Sequence, residues 1–181
     1  MDRRFFLLGL PAVLAACEAG RVPVGDDGRP KQQVYRIRAG DSGEIQFRML
    51  DGVNALRGAS GLASLALNAE LNAAAATHSR DMSRQNRPWH FGSDGSSPID
   101  RVRRVGYQGL LIGETISETF ETELETLAAW METPTTRDVI LDPRARELGF
   151  SWFQEPGGKI WWTMVLGTLA ESGNTPTPVQ G

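Results

Sequence analysis

The chain has 181 residues, which allows one domain with a sizeable core plus terminal extensions. Hydrophobic residues make up 40% and charged residues 23%, which excludes a disordered, highly charged chain. A net charge of -3 and a pI of about 5.5 offer no basic surface to nucleic acid, and a single cysteine excludes an intrachain disulfide.

Residues 1–17 read as an export signal with a lipid attachment point. Arg3 and Arg4 give a positive start, and the apolar run Phe5 to Ala16 is too short to span a bilayer as a helix. Leu14-Ala15-Ala16-Cys17 resembles a bacterial lipobox, in which Cys17 is lipidated, so a lipid membrane is the expected partner. Arg3-Arg4-Phe5-Phe6-Leu7 also resembles a twin-arginine signal, and the choice of export route stays open. Glu18 is not the aspartate of an inner-membrane retention signal, which favours the outer membrane where two membranes exist. Residues 18–43 form a polar tether, with an edge strand expected over 34–38 because Val34 to Arg38 alternates.

The body spans 44–169. Ile45, Met49, Leu50, Val53 and Leu56 are spaced for one face of a helix over 44–57, ended by Gly58 and Gly61. Asn68 is a good N-cap for an alanine-rich helix to Asn86, with Leu71, Ala74, Ala75, His78 and Met82 on its apolar stripe. His78 therefore points inward, either as a satisfied core histidine or as a site member. Trp89 to Tyr107 is punctuated as a loop, with a helical turn over 101–106 and Arg103 and Arg104 exposed. Leu110 to Ile112 reads as a short strand leading to Gly113-Glu114. A second long helix is expected over 117–131, with Thr122 and Glu125 as a capping box. Its inward stripe is Phe120, Leu124, Leu127, Ala128 and Met131; Glu118, Glu121, Glu123 and Glu125 solvate the other face. Thr133-Pro134 starts a short helix to about Leu141, and Asp142-Pro143 repeats the signal. Strands over 147–154 and 159–169 flank the turn Glu155-Pro156-Gly157-Gly158, and residues 170–181 are a frayed tail. This order gives an α+β domain closed by a C-terminal β-hairpin.

His90 and Glu114 are the candidate site. A histidine and a carboxylate brought together from separate loops form the smallest unit that binds a metal or moves a proton. Ser93, Ser96 and Ser97 lie nearby in a turn-rich stretch and are expected to bond their own backbone. Trp89, Phe91, Trp130, Trp152, Trp161 and Trp162 are many large rings for one domain. In a strand, Trp161 and Trp162 face opposite ways, so one of them is available to line a cleft.

These residues together resemble a known family. The ordered set includes Asn54-Ala55-Leu56-Arg57, His78-Ser79-Arg80-Asp81-Met82, His90, Asp94-Gly95, Arg101, Gly106-Tyr107, Gly113-Glu114, Trp130-Met131, Arg137, Ile140-Leu141, Gly149-Phe150 and Trp162-Thr163. It is similar, over about Glu44 to Gly167, to the CAP superfamily of cysteine-rich secretory proteins, antigen 5 and plant pathogenesis-related proteins, also called SCP domains. The likeness is closer to the short bacterial members that lack disulfides. It implies a three-layer α-β-α sandwich outside the cytoplasm. Full sites in that family carry two histidines and two acidic residues in one cleft, sometimes with a divalent metal. By motif, His90 matches the first histidine and Glu114 the glutamate after glycine. Thr133 and Trp161 stand at the other glutamate and histidine of the eukaryotic pattern, and Thr136 at the histidine of the bacterial one.

Two protein ligands are fewer than the three or four of a stable zinc site, so His90 and Glu114 are an incomplete metal site and no cofactor is expected. The favoured reading is a non-catalytic module that binds a small ligand or an envelope component. In it, His90 donates to Glu114 and pins the central loop. The alternative is a hydrolase, metal-assisted or built on the His-Glu dyad, acting on an envelope polymer or peptide.

Overall fold

The computed structural model describes residues 34–119 and 121–168. The export signal, Cys17, the tether up to residue 33, Phe120 and the tail lie outside the described residues. Helix α1 is Ser42–Ala59 and is followed by the two-residue strand β1, Ala66–Leu67. Then come α2 (Ala69–Gln85), α3 (Pro98–Arg104), β2 (Leu111–Thr119), α4 (Glu123–Glu132), α5 (Pro134–Ile140), β3 (Glu147–Gln154) and β4 (Ile160–Gly167). The sheet order is β1-β3-β4-β2; β1 pairs parallel with β3, and the other pairs are antiparallel.

Strand alternation builds the two interfaces of a three-layer α-β-α sandwich. Leu148 and Phe150 of β3 and Ile160, Trp162, Met164 and Leu166 of β4 face α1, α4 and α5. The Trp162 ring stacks on Phe150 at 5.3 Å. The opposite face, with Gly149, Ser151, Thr163 and Val165, lies under α2. Asn68 caps α2 by accepting from the Leu71 N–H at 2.8 Å, and Leu71, Ala74, Ala75, His78 and Met82 are all buried, matching the expected stripe. At Gly149 a Cβ would strike the α2 backbone at Leu71 and Asn72, so the absence of a side chain sets the distance between helix and sheet.

Arg57 is fully buried at the end of α1 and bonds only to carbonyls. Nε donates to Ala63 at 2.9 Å, Nη1 to Ile140 at 2.8 Å and Asp142 at 3.0 Å, and Nη2 to Ala145 at 3.2 Å. Burial pushes its pKa down, with Arg146 adding to the effect.

Four expectations are corrected. Residues 34–38 are not a strand: the Gln154 side-chain amide takes the place of a partner strand, donating to Tyr35 O at 2.7 Å and accepting from Ile37 N–H at 3.0 Å. The long helix from Ser117 does not form, because β2 continues through Thr119. Thr115, Ile116 and Thr119 are β-branched and favour the pleat. The Thr122–Glu125 capping box then starts α4, and its stripe is Glu123, Thr126, Leu127 and Trp130, which leaves Leu124 44% exposed and Ala128 on the outside. Glu123 is thus buried rather than solvated and accepts from Arg48 Nε at 2.6 Å. Asp142-Pro143 starts only a turn, in which Asp142 accepts from the Arg144 N–H at 2.8 Å.

Replacing Gly149 with alanine is expected to destabilise the domain by about 3 kcal/mol through overpacking against the α2 backbone. A urea midpoint within error of the parent would show that the two layers can separate freely there.

Candidate functional site

The loop after α2 is tied down at every turn. Asp81 of α2 accepts from the Ser93 N–H and the Ser93 hydroxyl, both at 2.6 Å. The Trp89 indole donates to Gln85 at 2.7 Å, and Gly95 takes a positive φ of 77° in the tight turn closed by Gly92 and Ser96. Ser97 caps α3, with Pro98 at its first position and Asp100 completing the capping box. The helical turn therefore starts three residues earlier than the sequence expectation over 101–106 and fixes the direction of Arg101. The serines do more than bond their own backbone as expected: the Ser93 hydroxyl donates to Asp81 and the Ser97 hydroxyl to Asp100, and only Ser97 also accepts from a nearby backbone N–H, that of Asp100.

Glu114 lies on strand β2, not on a loop as expected. Its neighbour Gly113 sits against Val139 of α5, so alternation sends the Glu114 carboxyl to the α2 face. His90 Nδ1 lies 2.9 Å from Glu114 Oε1. Arg101 Nη2 donates to both oxygens, at 2.8 and 2.7 Å, while Nη1 donates to the His90 and Ser96 carbonyls at 2.9 and 3.2 Å. His78 Nε2 is 3.6 Å from the same Oε1, just beyond hydrogen-bond length. The side chains of Glu114 and Arg101 are 2% and 5% exposed, whereas that of His90 is 50% exposed.

Burial pushes the Glu114 carboxyl up, but the His90 hydrogen bond, His78 and Arg101 outweigh it and hold the group below the usual glutamate range. Burial likewise pushes the His78 imidazole down, with Glu114 opposing. Neither His78 ring nitrogen makes a hydrogen bond of good geometry among the described residues, although the Trp89 backbone, like Glu114, raises its proton affinity. The ring is fully buried and packs neutral beside the carboxylate. An ionised carboxylate only accepts, so His90 Nδ1 carries the hydrogen and its Nε2 is left for solvent or a ligand.

The other two candidates stand apart. Trp161 is fully buried on the α2 face of β4, opposite Glu118 and four residues along β2 from Glu114; its indole donates to Glu155 at 2.7 Å. Neither Trp161 nor Trp162 is exposed, so neither ring is available to a ligand. Thr136 is on α5, across the sheet, and its hydroxyl bonds Trp130 O and, at 3.1 Å, Thr133 O. What the sequence reading missed is Arg101. The signal was present: a carboxylate expected to be buried requires a cation, and the Ser97–Asp100 capping box points the next residue inward.

The donor set does not fit a metal ion. Both Glu114 oxygens accept from a guanidinium, and His90 Nδ1 is engaged by the same carboxylate. Among the described residues no group of three His, Cys, Asp or Glu side chains is arranged to hold one. Among the described residues no serine, threonine or cysteine side chain bonds His90 Nε2, and the His90–Glu114 dyad supplies a base with its orienting group.

Glu114→Gln is expected to destabilise the fold by about 3 kcal/mol, because Arg101 keeps its charge and loses its partner; an unchanged melting temperature would refute the clamp. The pH dependence has a fixed sign. His78 and Glu114 both have depressed pKa values in the folded chain, so the unfolded chain binds more protons between the folded and unfolded values. Stability is complete above the ordinary histidine value of 6.5, falls below it, and falls again below the ordinary glutamate value of 4.5. Each group contributes a slope of up to about 1.4 kcal/mol per pH unit. Melting curves from pH 8 to 4 should show the upper phase, and His78→Gln should remove it (roughly that range brackets both groups).

The sequence model of the cysteine-rich secretory protein family (CAP) matches residues 50–166. Protein YkwD of Bacillus subtilis (strain 168) is 28% identical over 120 residues, covering 66% of this chain and 46% of that protein, so the chain spans less than half of that relative's length. An outer surface protein from Borrelia burgdorferi superposes with a TM-score of 0.65 at 14% identity, covering 75% of this chain and 98% of that one. An extracellular protein containing an SCP domain from Bacillus anthracis str. Ames gives 0.64 at 21% identity, covering 74% and 45%. At these identities the two structures speak to the fold alone, and the fold is the same α-β-α sandwich. With the family's sequence pattern running through most of the described domain and its layers in place, the chain belongs to the cysteine-rich secretory protein (CAP) family.

Proposed function

We propose that this chain is an exported, envelope-anchored CAP-domain lipoprotein that acts without catalysis, as a module binding a small ligand or an envelope component. The observation that carries the reading is the state of Glu114: buried, held ionised, and with both oxygens taken by Arg101. A carboxylate so engaged is a weak base, and the adjacent guanidinium repels a dication. The cluster is then a clamp that holds the loop around His90 in one conformation and presents its outer face. Support for export comes from the charged start, apolar run and Cys17 of the sequence. Two similar folds belong to proteins described as an outer surface protein and an extracellular protein. In this reading the lipid on Cys17 provides the membrane contact, and the outer membrane is the destination in a two-membrane envelope. A net charge of -3 gives nucleic acid no foothold.

The second reading, a hydrolase acting on an envelope polymer or peptide, draws on one observation: His90 Nδ1 is oriented by Glu114 while its Nε2 is free to take a proton. It requires a nucleophile or a metal brought to that nitrogen.

One set of measurements on the full chain separates the readings. Zinc titration is expected to give no saturable micromolar binding, and micromolar binding lost in His90→Ala would support the hydrolase. Fractionation of cells producing Cys17→Ser should move the protein out of the membrane fraction, and its retention there would remove lipidation from the proposal.

A further inference from the structure

Arg80 and Arg84 stand one turn apart on the exposed side of α2, and Arg87 follows the left-handed C-cap Asn86. None of these arginines takes part in an ion pair among the described residues. Arg80 lies over the Phe153 ring at 5.7 Å and Arg87 over Trp89 at 4.0 Å, contacts that orient the guanidinium groups and leave their charge. Trp89 is half-buried and packs at 5.6 Å against Phe91, which is 48% exposed. We infer that this face, a run of arginines ending on aromatic rings, docks on an anionic lipid surface. The inference rests on the envelope-anchored part of the function proposed above and adds a second membrane contact, made by the folded domain itself.

Charge, composition and the path of the chain all point to a membrane. The carboxylates nearest the arginines are already engaged. Asp81 accepts from the Ser93 N–H, the Ser93 hydroxyl and Gln85. Glu155 accepts from the Ser83 hydroxyl and the Trp161 indole, and Asp94 pairs with Arg104. Glu121, Glu125, Glu132 and Asp138 are exposed on α4, α5 and the turn before them, across the sheet from α2. A chain of net charge -3 thus turns a basic face one way and an acidic layer the other, which orients it over a negative surface. Arginines attract anionic headgroups, and tryptophan and phenylalanine rings settle at the boundary between headgroup and acyl chain. The chain also enters the domain at this end. Val34 and Arg36 lie against Gly158 of the β3–β4 turn, and Arg36 donates to the Pro156 carbonyl at 2.9 Å. The same turn is tied to the end of α2 by Ser83 and Glu155 at 2.8 Å and by Lys159 and Asn86 at 2.9 Å. A chain anchored through Cys17 is therefore tethered by the end that carries the arginines. Tethering raises the effective concentration of the face at the bilayer, so a contact weak in free solution is populated there.

The test reconstitutes the full chain in vesicles of phosphatidylcholine alone, or of phosphatidylcholine with phosphatidylglycerol, and follows amide hydrogen exchange over residues 84–92. Exchange there should slow by about tenfold or more in the anionic vesicles. Salt of about 1 M, where the Debye length is about 3 Å, should erase the difference. The double variant Arg80→Gln/Arg84→Gln should lose most of the slowing, since each arginine contributes about fivefold to docking. Arg80→Lys/Arg84→Lys should keep it. Both positions are exposed, and unchanged melting temperatures will show that the variants fold. Equal exchange in the two kinds of vesicle, or slowing that survives in the glutamine variant, overturns the inference. So does slowing by soluble dextran sulfate without slowing by vesicles, which would assign the face to an anionic polymer. The anchoring reading is tested separately by retention in the neutral vesicles, which lack the charge this face requires.

Discussion

A single carboxylate on an edge strand ties the central loop of this domain to its sheet. Glu114 is buried, which is unfavourable for an isolated charge. It is tolerated because Arg101 from α3 and His90 from the loop converge on it while neutral His78 from α2 packs beside it. Three segments separated in sequence are thereby fixed to one point on β2. Arg101 also ties the loop through the His90 and Ser96 carbonyls, so loop position and carboxylate charge are a single device. Such a pair is weak evidence for net stability, since an apolar replacement of equal volume can do as well. Its effect is to specify one arrangement of the loop.

That device constrains the chemistry available. The orientation of His90 by Glu114 is what a general base requires, while the carboxylate itself is neutralised by an arginine. A common scaffold carries varied activities, so membership of the CAP family alone assigns none of them.

Much of the fold is legible in the sequence because local signals agree with the global pattern. Asn68 before an alanine-rich stripe marks α2 with its face correct, and Glu155-Pro156-Gly157-Gly158 between aromatic runs marks the β3–β4 hairpin. Residues 115–119 mislead because their Glu and Ser content resembles a helix face, whereas their β-branched residues pair with β4. That error rotates the expected stripe of α4 and hides the burial of Glu123. Of the site, the meeting of His90 and Glu114 is legible as two motif residues flanking one loop. Arg101 is not, because its burial depends on where α3 begins, a boundary set by Ser97 and Pro98. Motif alone places Trp161 and Thr136 near the site, but the pleat and the sheet put them elsewhere.

Arg57 carries a different lesson. Every group it bonds is a main-chain oxygen, contributed by Ala63, Ile140, Asp142 and Ala145. Main-chain oxygens are the same whatever side chain they accompany, so the knot itself demands no particular side chain at those four positions, and it is core packing that constrains Ile140 and Ala145. The arginine itself has no such latitude, because lysine offers a point charge where a flat, forked donor spans three turns of chain at once. This knot therefore depends on the identity of one side chain alone, opposite in kind to the Glu114 cluster, where Glu114, Arg101 and His90 each take part through their side chains.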